Sequence, residues 1–274
     1  MQLAMDFTEA FPTSAKSNFD DLLSRVQSNS EHWSEHTSAA QRRRSGQVFT
    51  PIAMARQLAA LYPMSGDSHR NLSDPGCGTG ILSIAIAARL QERQDTSLNV
   101  VGFDTDTRLA SDWLSAWDEF RDISNAPCRD SLFQCFLQHA DDILSGTCLG
   151  KPRPSIITLN PPYKKLARNS NLWKLLNSKG VPVPNMYCAF TVLAGEWLAD
   201  DGDLLAILPR SFASGVYFKS FRQWIRNAFS VEHVVLYRSR SCFGQCYTRE
   251  CTRPTKKTPS NVASSYHSFR YTNR

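Results

Sequence analysis

Apolar positions along the chain alternate between two patterns. Short continuous apolar runs at residues 98–103, 156–159, 203–208 and 231–237 have the composition of strands buried on both faces. Between them, apolar residues recur at helical spacing over about 81–93, 185–198 and 218–229. A short strand before Asp74 and a run at 133–138, read as a third strand, complete the series. Alternation of this kind across residues 70–237 predicts an α/β fold, a doubly wound and mostly parallel sheet covered by helices on both sides. Near the start, Phe19, Leu22, Leu23 and Val26 predict one amphipathic helix. A Ser-, Thr- and His-rich stretch ending at Arg42-Arg43-Arg44 follows it. Three regions result: a helical arm and polar linker over 1–45, a catalytic-type α/β domain over 46–237, and a basic tail over 238–274.

The tail differs in kind from the rest. Its only Leu, Ile, Val or Met is Val262, and it carries eight Lys or Arg against the single acid Glu250. That composition predicts disorder. The tail accounts for the net charge of +6, because its own surplus of +7 leaves residues 1–237 at −1. A globally basic binding face is therefore not expected in the body of the chain. No apolar run approaches the roughly 20 residues of a membrane span, and residues 1–20 lack a basic stretch followed by an apolar one. The expectation is a cytoplasmic protein with no membrane partner. Eight cysteines without a Cys-x-x-Cys pair suggest reduced thiols.

Candidate chemistry sits where strands end. Asp74-Pro75-Gly76-Cys77-Gly78-Thr79-Gly80 joins a strand to a helix, and its glycines allow a sharp turn and close approach to a ligand. The spacing is G-x-G-x-G, with Ile81 where a dinucleotide fingerprint needs its third glycine, which argues against NAD. The next strand ends in Asp104, placed to accept from both hydroxyls of a ribose, with Asp106 as the cap of the following helix. The run 156–159 ends in Asn160-Pro161-Pro162-Tyr163. There the side-chain oxygen of Asn160 and the carbonyl of Pro161 can both accept from one planar amino group, while Tyr163 stacks on the heterocycle bearing it. Thr50-Pro51, ending Gly46-Gln47-Val48-Phe49-Thr50-Pro51, reads as an N-cap and first helical residue. His32-Trp33-Ser34-Glu35-His36 matches an inverted zinc-protease pattern, but its polar flanks offer no periodic helix to hold ligands, so no metal is expected.

These motifs, in this order from about Gly46 to Tyr237, resemble the amino-methyltransferases, and most of all the gamma-class, TaqI-like adenine-specific DNA methyltransferases of restriction-modification systems. The resemblance implies a Rossmann-like, seven-stranded sheet whose last strand is antiparallel, and S-adenosyl-L-methionine as cofactor. It implies contacts to that cofactor from Thr50, Pro51, Asp74, Gly76, Gly78, Gly80, Asp104 and an acid at Asp141 or Asp142, with Asp142 preferred. Asn160, Pro161, Pro162 and Tyr163 become the catalytic set. The implied partner is DNA, with its target adenine flipped out, alongside a separate specificity or restriction subunit. A glutamine or RNA amino-methyltransferase, or a non-catalytic fragment, uses the same motifs. Family members carry a target-recognition region after the catalytic domain. Residues 238–274 are too few for one, so the chain reads as truncated and weakly active or inactive alone.

Overall fold

The computed structural model describes residues 15–63, 69–93, 96–124, 127–147, 152–181, 183–236 and 266–273, the last stretch as backbone. Seven strands form one sheet in the order β3-β2-β1-β4-β5-β7-β6. They are β1 His69–Pro75, β2 Ser97–Phe103, β3 Cys128–Phe133, β4 Ile156–Leu159, β5 Asp203–Pro209, β6 Phe229–Leu236 and β7 Tyr266–Asn273. The pairings β1–β2, β2–β3, β1–β4 and β4–β5 are parallel, whereas β7 runs antiparallel between β5 and β6. The strand order reverses between β1 and β4. In open α/β sheets, the crevice at such a reversal is where ligands bind.

Two apolar layers cover the sheet. Helices α1 Ala15–His36, α3 Ile52–Ala60, α4 Ile81–Leu90 and α5 Ala110–Ile123 pack with Leu98, Val100, Ile156, Leu205 and Ile207. Helices α6 Ala140–Ser145, α8 Met186–Trp197 and α10 Lys219–Ala228 pack with Ile157, Leu159, Leu204, Ala206 and Leu208. Alternate residues of β4 and β5 thus enter opposite layers, and this is why those strands read as unbroken apolar runs. Phe212 is core in the second layer, just after β5.

Three expectations need correction. The run expected as a strand at 133–138 begins as β3 ends. β3 is an edge strand with half-buried polar positions, and the apolar residues after it fold into a 3-10 turn at Phe136–His139. Within 1–45 the expected amphipathic helix is present, but the described residues after it are helical where a polar linker was expected. α1 buries Phe19, Leu22, Leu23, Val26 and Ser30, and a second helix, α2 Ala39–Ser45, follows at once, capped by the Ser38 hydroxyl. The packed stripe of α1 continues past its apolar residues to the hydroxyl-bearing Ser30, which hid that part from an apolar-periodicity reading. Finally, β7 belongs to the stretch expected to be disordered. His267, Phe269 and Tyr271 alternate with polar residues, and aromatic residues and Thr favour strands as aliphatic ones do. The other residues of the basic tail, 238–265, lie outside the described ones.

Candidate active site

The crevice between β1 and β4 is built from their C-terminal ends. The register Leu72↔Ile156 and Ser73↔Ile157 makes them neighbours, so the glycine loop and the Asn-Pro-Pro-Tyr turn leave the sheet side by side. In the loop, Gly76, Gly78 and Gly80 all have positive φ, at 84°, 57° and 92°, which side-chain-bearing residues adopt at a cost. Gly80 also lies against Trp113, where an added Cβ would come within 3.2 Å of the indole. The loop is tied to the end of β2. Gly76 and Cys77 donate to the Phe103 carbonyl at 2.7 and 3.0 Å, and Gly78 N–H donates to Asp104 Oδ2 at 2.8 Å. The other Asp104 oxygen accepts from Asp106 N–H at 2.8 Å. Burial nonetheless pushes the Asp104 carboxyl above its ordinary range. Asp106 caps the turn that follows and is clamped in a two-pronged pair by Arg108, which holds its carboxyl below the ordinary range.

Asn160 is fixed from three directions. Its Nδ2 donates to the Val48 carbonyl at 3.1 Å and to Thr50 Oγ1 at 2.8 Å, while the Tyr163 hydroxyl donates to its Oδ1 at 2.6 Å. Both amide hydrogens are thereby committed, and the oxygen keeps one unused acceptor position. The Tyr163 hydroxyl also lies 3.2 Å from the Ile207 carbonyl, and its ring meets Tyr187 edge-on at 6.3 Å. Tyr163 N–H donates to the Gly46 carbonyl at 3.0 Å, which docks the end of α2 onto the turn. Arg43 and Arg44 on α2 are exposed, as are Lys165 and Arg168 just past the turn. Arg42 is committed elsewhere, because its guanidinium donates to the carbonyls of Ser34 and Thr37.

One cavity collects these parts. Thr50, Gly76, Gly78, Asp104, Asn160 and Pro162 line it, together with Asp106 and the segment from Gln134 to Leu137. Other expected residues stand back from it. Pro161 and Gly80 are buried, and Tyr163 is half-buried beside the cavity, with its hydroxyl on Asn160. Thr50 is no helix cap. Pro51 occupies the cap position of α3 without a side-chain bond, and the Thr50 hydroxyl serves Asn160 instead. Asp74 lies behind the loop, wholly buried, with neither carboxylate oxygen in a well-formed hydrogen bond. Burial pushes it up to about 6 despite the nearby Ser83 and Thr158. Asp141 and Asp142 are exposed on the first turn of α6, outside the cavity. Gln134 and Cys135 line it instead, on a turn inside the run whose apolar content had marked it as a strand. His32 and His36 do share a helix, contrary to expectation, but they stack at 4.1 Å and His36 Nδ1 bonds the His32 carbonyl. Among the described residues, no group of three or more His, Cys, Asp or Glu is placed to hold a metal. No described helix is long and apolar enough to cross a membrane.

Residues 155–243, which include β4 and the Asn-Pro-Pro-Tyr turn, match the Eco57I restriction-modification methylase family. The chain is 32% identical over 198 residues to the type II methyltransferase M.BsuBI of Bacillus subtilis, covering 71% of this chain and 40% of that protein. It is 27% identical over 208 residues to M.PstI of Providencia stuartii, covering 73% and 40%. The chain therefore spans about two fifths of the length of these curated relatives. Among solved structures, a class I S-adenosylmethionine-dependent methyltransferase of Listeria monocytogenes superposes with a TM-score of 0.65 at 13% identity, over 98% of this chain and 70% of that one. The modification subunit of a type I restriction enzyme from Vibrio vulnificus gives 0.66 at 11% identity, over 96% and 50%. The fold is thus the Rossmann-like sheet of the class I methyltransferases, and the sequence carried on it is similar to the methyltransferases of restriction-modification systems.

Proposed function

We propose that the chain is the catalytic part of a site-specific DNA methyltransferase that moves a methyl group from S-adenosyl-L-methionine to the exocyclic amino group of adenine. The observation that carries this reading is the anchored amide of Asn160, whose oxygen retains a free acceptor position at the edge of the cavity. An aromatic amine is a poor nucleophile because its lone pair is delocalised into the ring. Asn160 Oδ1 and the Pro161 carbonyl counter this by holding both amino hydrogens, so the lone pair stands out of conjugation. Their contribution is positioning and electrostatics, and no strong base is needed.

The cavity's residues fit the cofactor in kind. Gly76 and Gly78 let backbone approach its amino-acid end, Asp104 keeps acceptor capacity for ribose hydroxyls, and Gln134 and Phe136 border the space for its base. When bound, it supplies a methyl group on a sulfonium. The G-x-G-x-G loop leaves no provision for a pyrophosphate. Flipping a base from the duplex costs a few kcal/mol, and stacking on Tyr163 returns about 1–3 kcal/mol. Arg43, Arg44, Lys165 and Arg168, exposed on the two segments that the Gly46–Tyr163 bond joins, grip the flanking phosphates. The choice of adenine over cytosine rests on family resemblance, as do a cytoplasmic setting and a partner specificity or restriction subunit. Calorimetry with S-adenosylmethionine and with NAD tests the cofactor assignment. Heat from the first alone is expected, and binding of NAD without S-adenosylmethionine would overturn it.

A further inference from the structure

We propose that helix α1 is a positioning brace for the cofactor pocket, acting through Gln27, Ser30 and Trp33. This rests on the reading of the cavity as an S-adenosylmethionine site. The three residues recur at i, i+3 and i+6, so they lie within about a third of the helix circumference. Ser30 touches a lining residue directly, and the other two touch segments just behind the lining.

Ser30 reaches the glycine loop. Its hydroxyl is 2.6 Å from that of Thr79, and both residues are nearly wholly buried, 1% and 2% exposed. Ser30 Oγ also donates to the Val26 carbonyl at 3.0 Å, which uses its only proton. Thr79 must therefore donate to Ser30, and its hydroxyl is fixed in direction as well as place. Gln27 reaches the segment that holds Asn160. Its Oε1 accepts from Ile52 N–H at 2.8 Å, a group otherwise without a cap because Pro51 has no side chain to offer. Trp33 reaches the acid turn. Its indole N–H donates to Asp112, and Arg108 lies 5.2 Å over its ring while clamping Asp106. A helix seated for packing alone would carry apolar side chains at the Ser30 position, as it does at Leu22, Leu23 and Val26. Here a pair of hydroxyls replaces them where the partner is the loop itself.

The test is calorimetric titration with S-adenosylhomocysteine, alongside thermal melts, on wild type, Ser30→Ala, Thr79→Ala, the double variant, Gln27→Ala and Leu23→Ala. Ser30→Ala is expected to raise Kd by about five- to tenfold, the scale of one buried hydrogen bond, and the double variant to bind no more weakly than Thr79→Ala. Gln27→Ala, at a part-exposed position that does not endanger folding, should raise Kd by about threefold. Leu23→Ala removes core packing of the same helix. It should lower Tm while leaving Kd within about twofold. Wild-type binding matched by Ser30→Ala and Gln27→Ala overturns the brace and spares the pocket. A loss of affinity in Leu23→Ala as large as in Ser30→Ala reduces α1 to a structural support and also overturns it. No binding by wild type overturns the pocket reading, and the brace with it.

Discussion

Asn160 does two things at once. Its amide nitrogen ties the turn to Val48 and Thr50, and in the proposed reaction its oxygen meets the target amine. Asn160→Ala should abolish methyl transfer while leaving the Kd for S-adenosylhomocysteine within about threefold, under 1 kcal/mol, as titration and single-turnover assays would show. The Tyr163 hydroxyl orients that oxygen, so Tyr163→Phe should lower kcat by about tenfold, the scale of one lost hydrogen bond, with little loss of base affinity. Tyr163→Ala should lose both. Equal activity in wild type and Tyr163→Phe would leave Tyr163 with stacking alone. The placing of Asn160 and Asp104 on the cavity was legible because strand-end position and residue type coincide. The partner of Thr50 was not, since its bond spans 110 positions of sequence.

Asp74 carries a separate consequence. Its folded pKa of about 6 lies above the ordinary value, so the fold favours the neutral acid. That contribution is fully present below about pH 4 and is lost as pH rises through 6, at a cost of about 3 kcal/mol on the alkaline side. Asp74→Asn should therefore stabilise the chain at pH 8 by up to about 3 kcal/mol and have little effect at pH 4. Denaturant melts at the two pH values check this.

At the scale of elements, α2 brings an arginine run to the lip of the cavity, although sequence alone left it in a linker. The glycine left-handed at 72° closes α2 and lies so near Tyr163 and Lys164 that an added Cβ would meet the Tyr163 nitrogen at 3.1 Å. Two basic clusters more than 100 positions apart thus sit on segments joined at Gly46 and Tyr163. Replacing Arg43, Arg44, Lys165 and Arg168 by Gln should weaken DNA binding and flatten its salt dependence by about one unit of log–log slope per side chain that grips a phosphate. An unchanged slope would place the DNA elsewhere. Helices α4 and α8 and strands β2, β4 and β5 were legible because burial on two faces, or one clean stripe, leaves a strong pattern. β3 and the turn after it were not. An edge strand needs only one covered face, and a 3-10 turn has no period long enough to read.

At the scale of the whole molecule, the sheet closes only with β7. This strand pairs with β5 over seven residues and with β6 along its other side, so without it two strands lose their ladders at once. Deleting residues 238–274 should cost about 3 kcal/mol or more and lower Tm by about 10 °C. An unchanged melt would mean that β6 reaches β5 unaided. The sheet's reversal between β1 and β4 sets the glycine loop beside the Asn-Pro-Pro-Tyr turn, and in the proposed reaction this adjacency brings methyl donor and target amine together. It is tested most directly by long incubation of the purified chain with methyl-labelled S-adenosylmethionine and a mixture of DNA, RNA and protein at low salt. Slow labelling of DNA as N6-methyladenine is expected, and it should disappear in Asn160→Ala although both proteins bind the donor equally. Label confined to RNA or protein, or DNA labelling that survives Asn160→Ala, would contradict it.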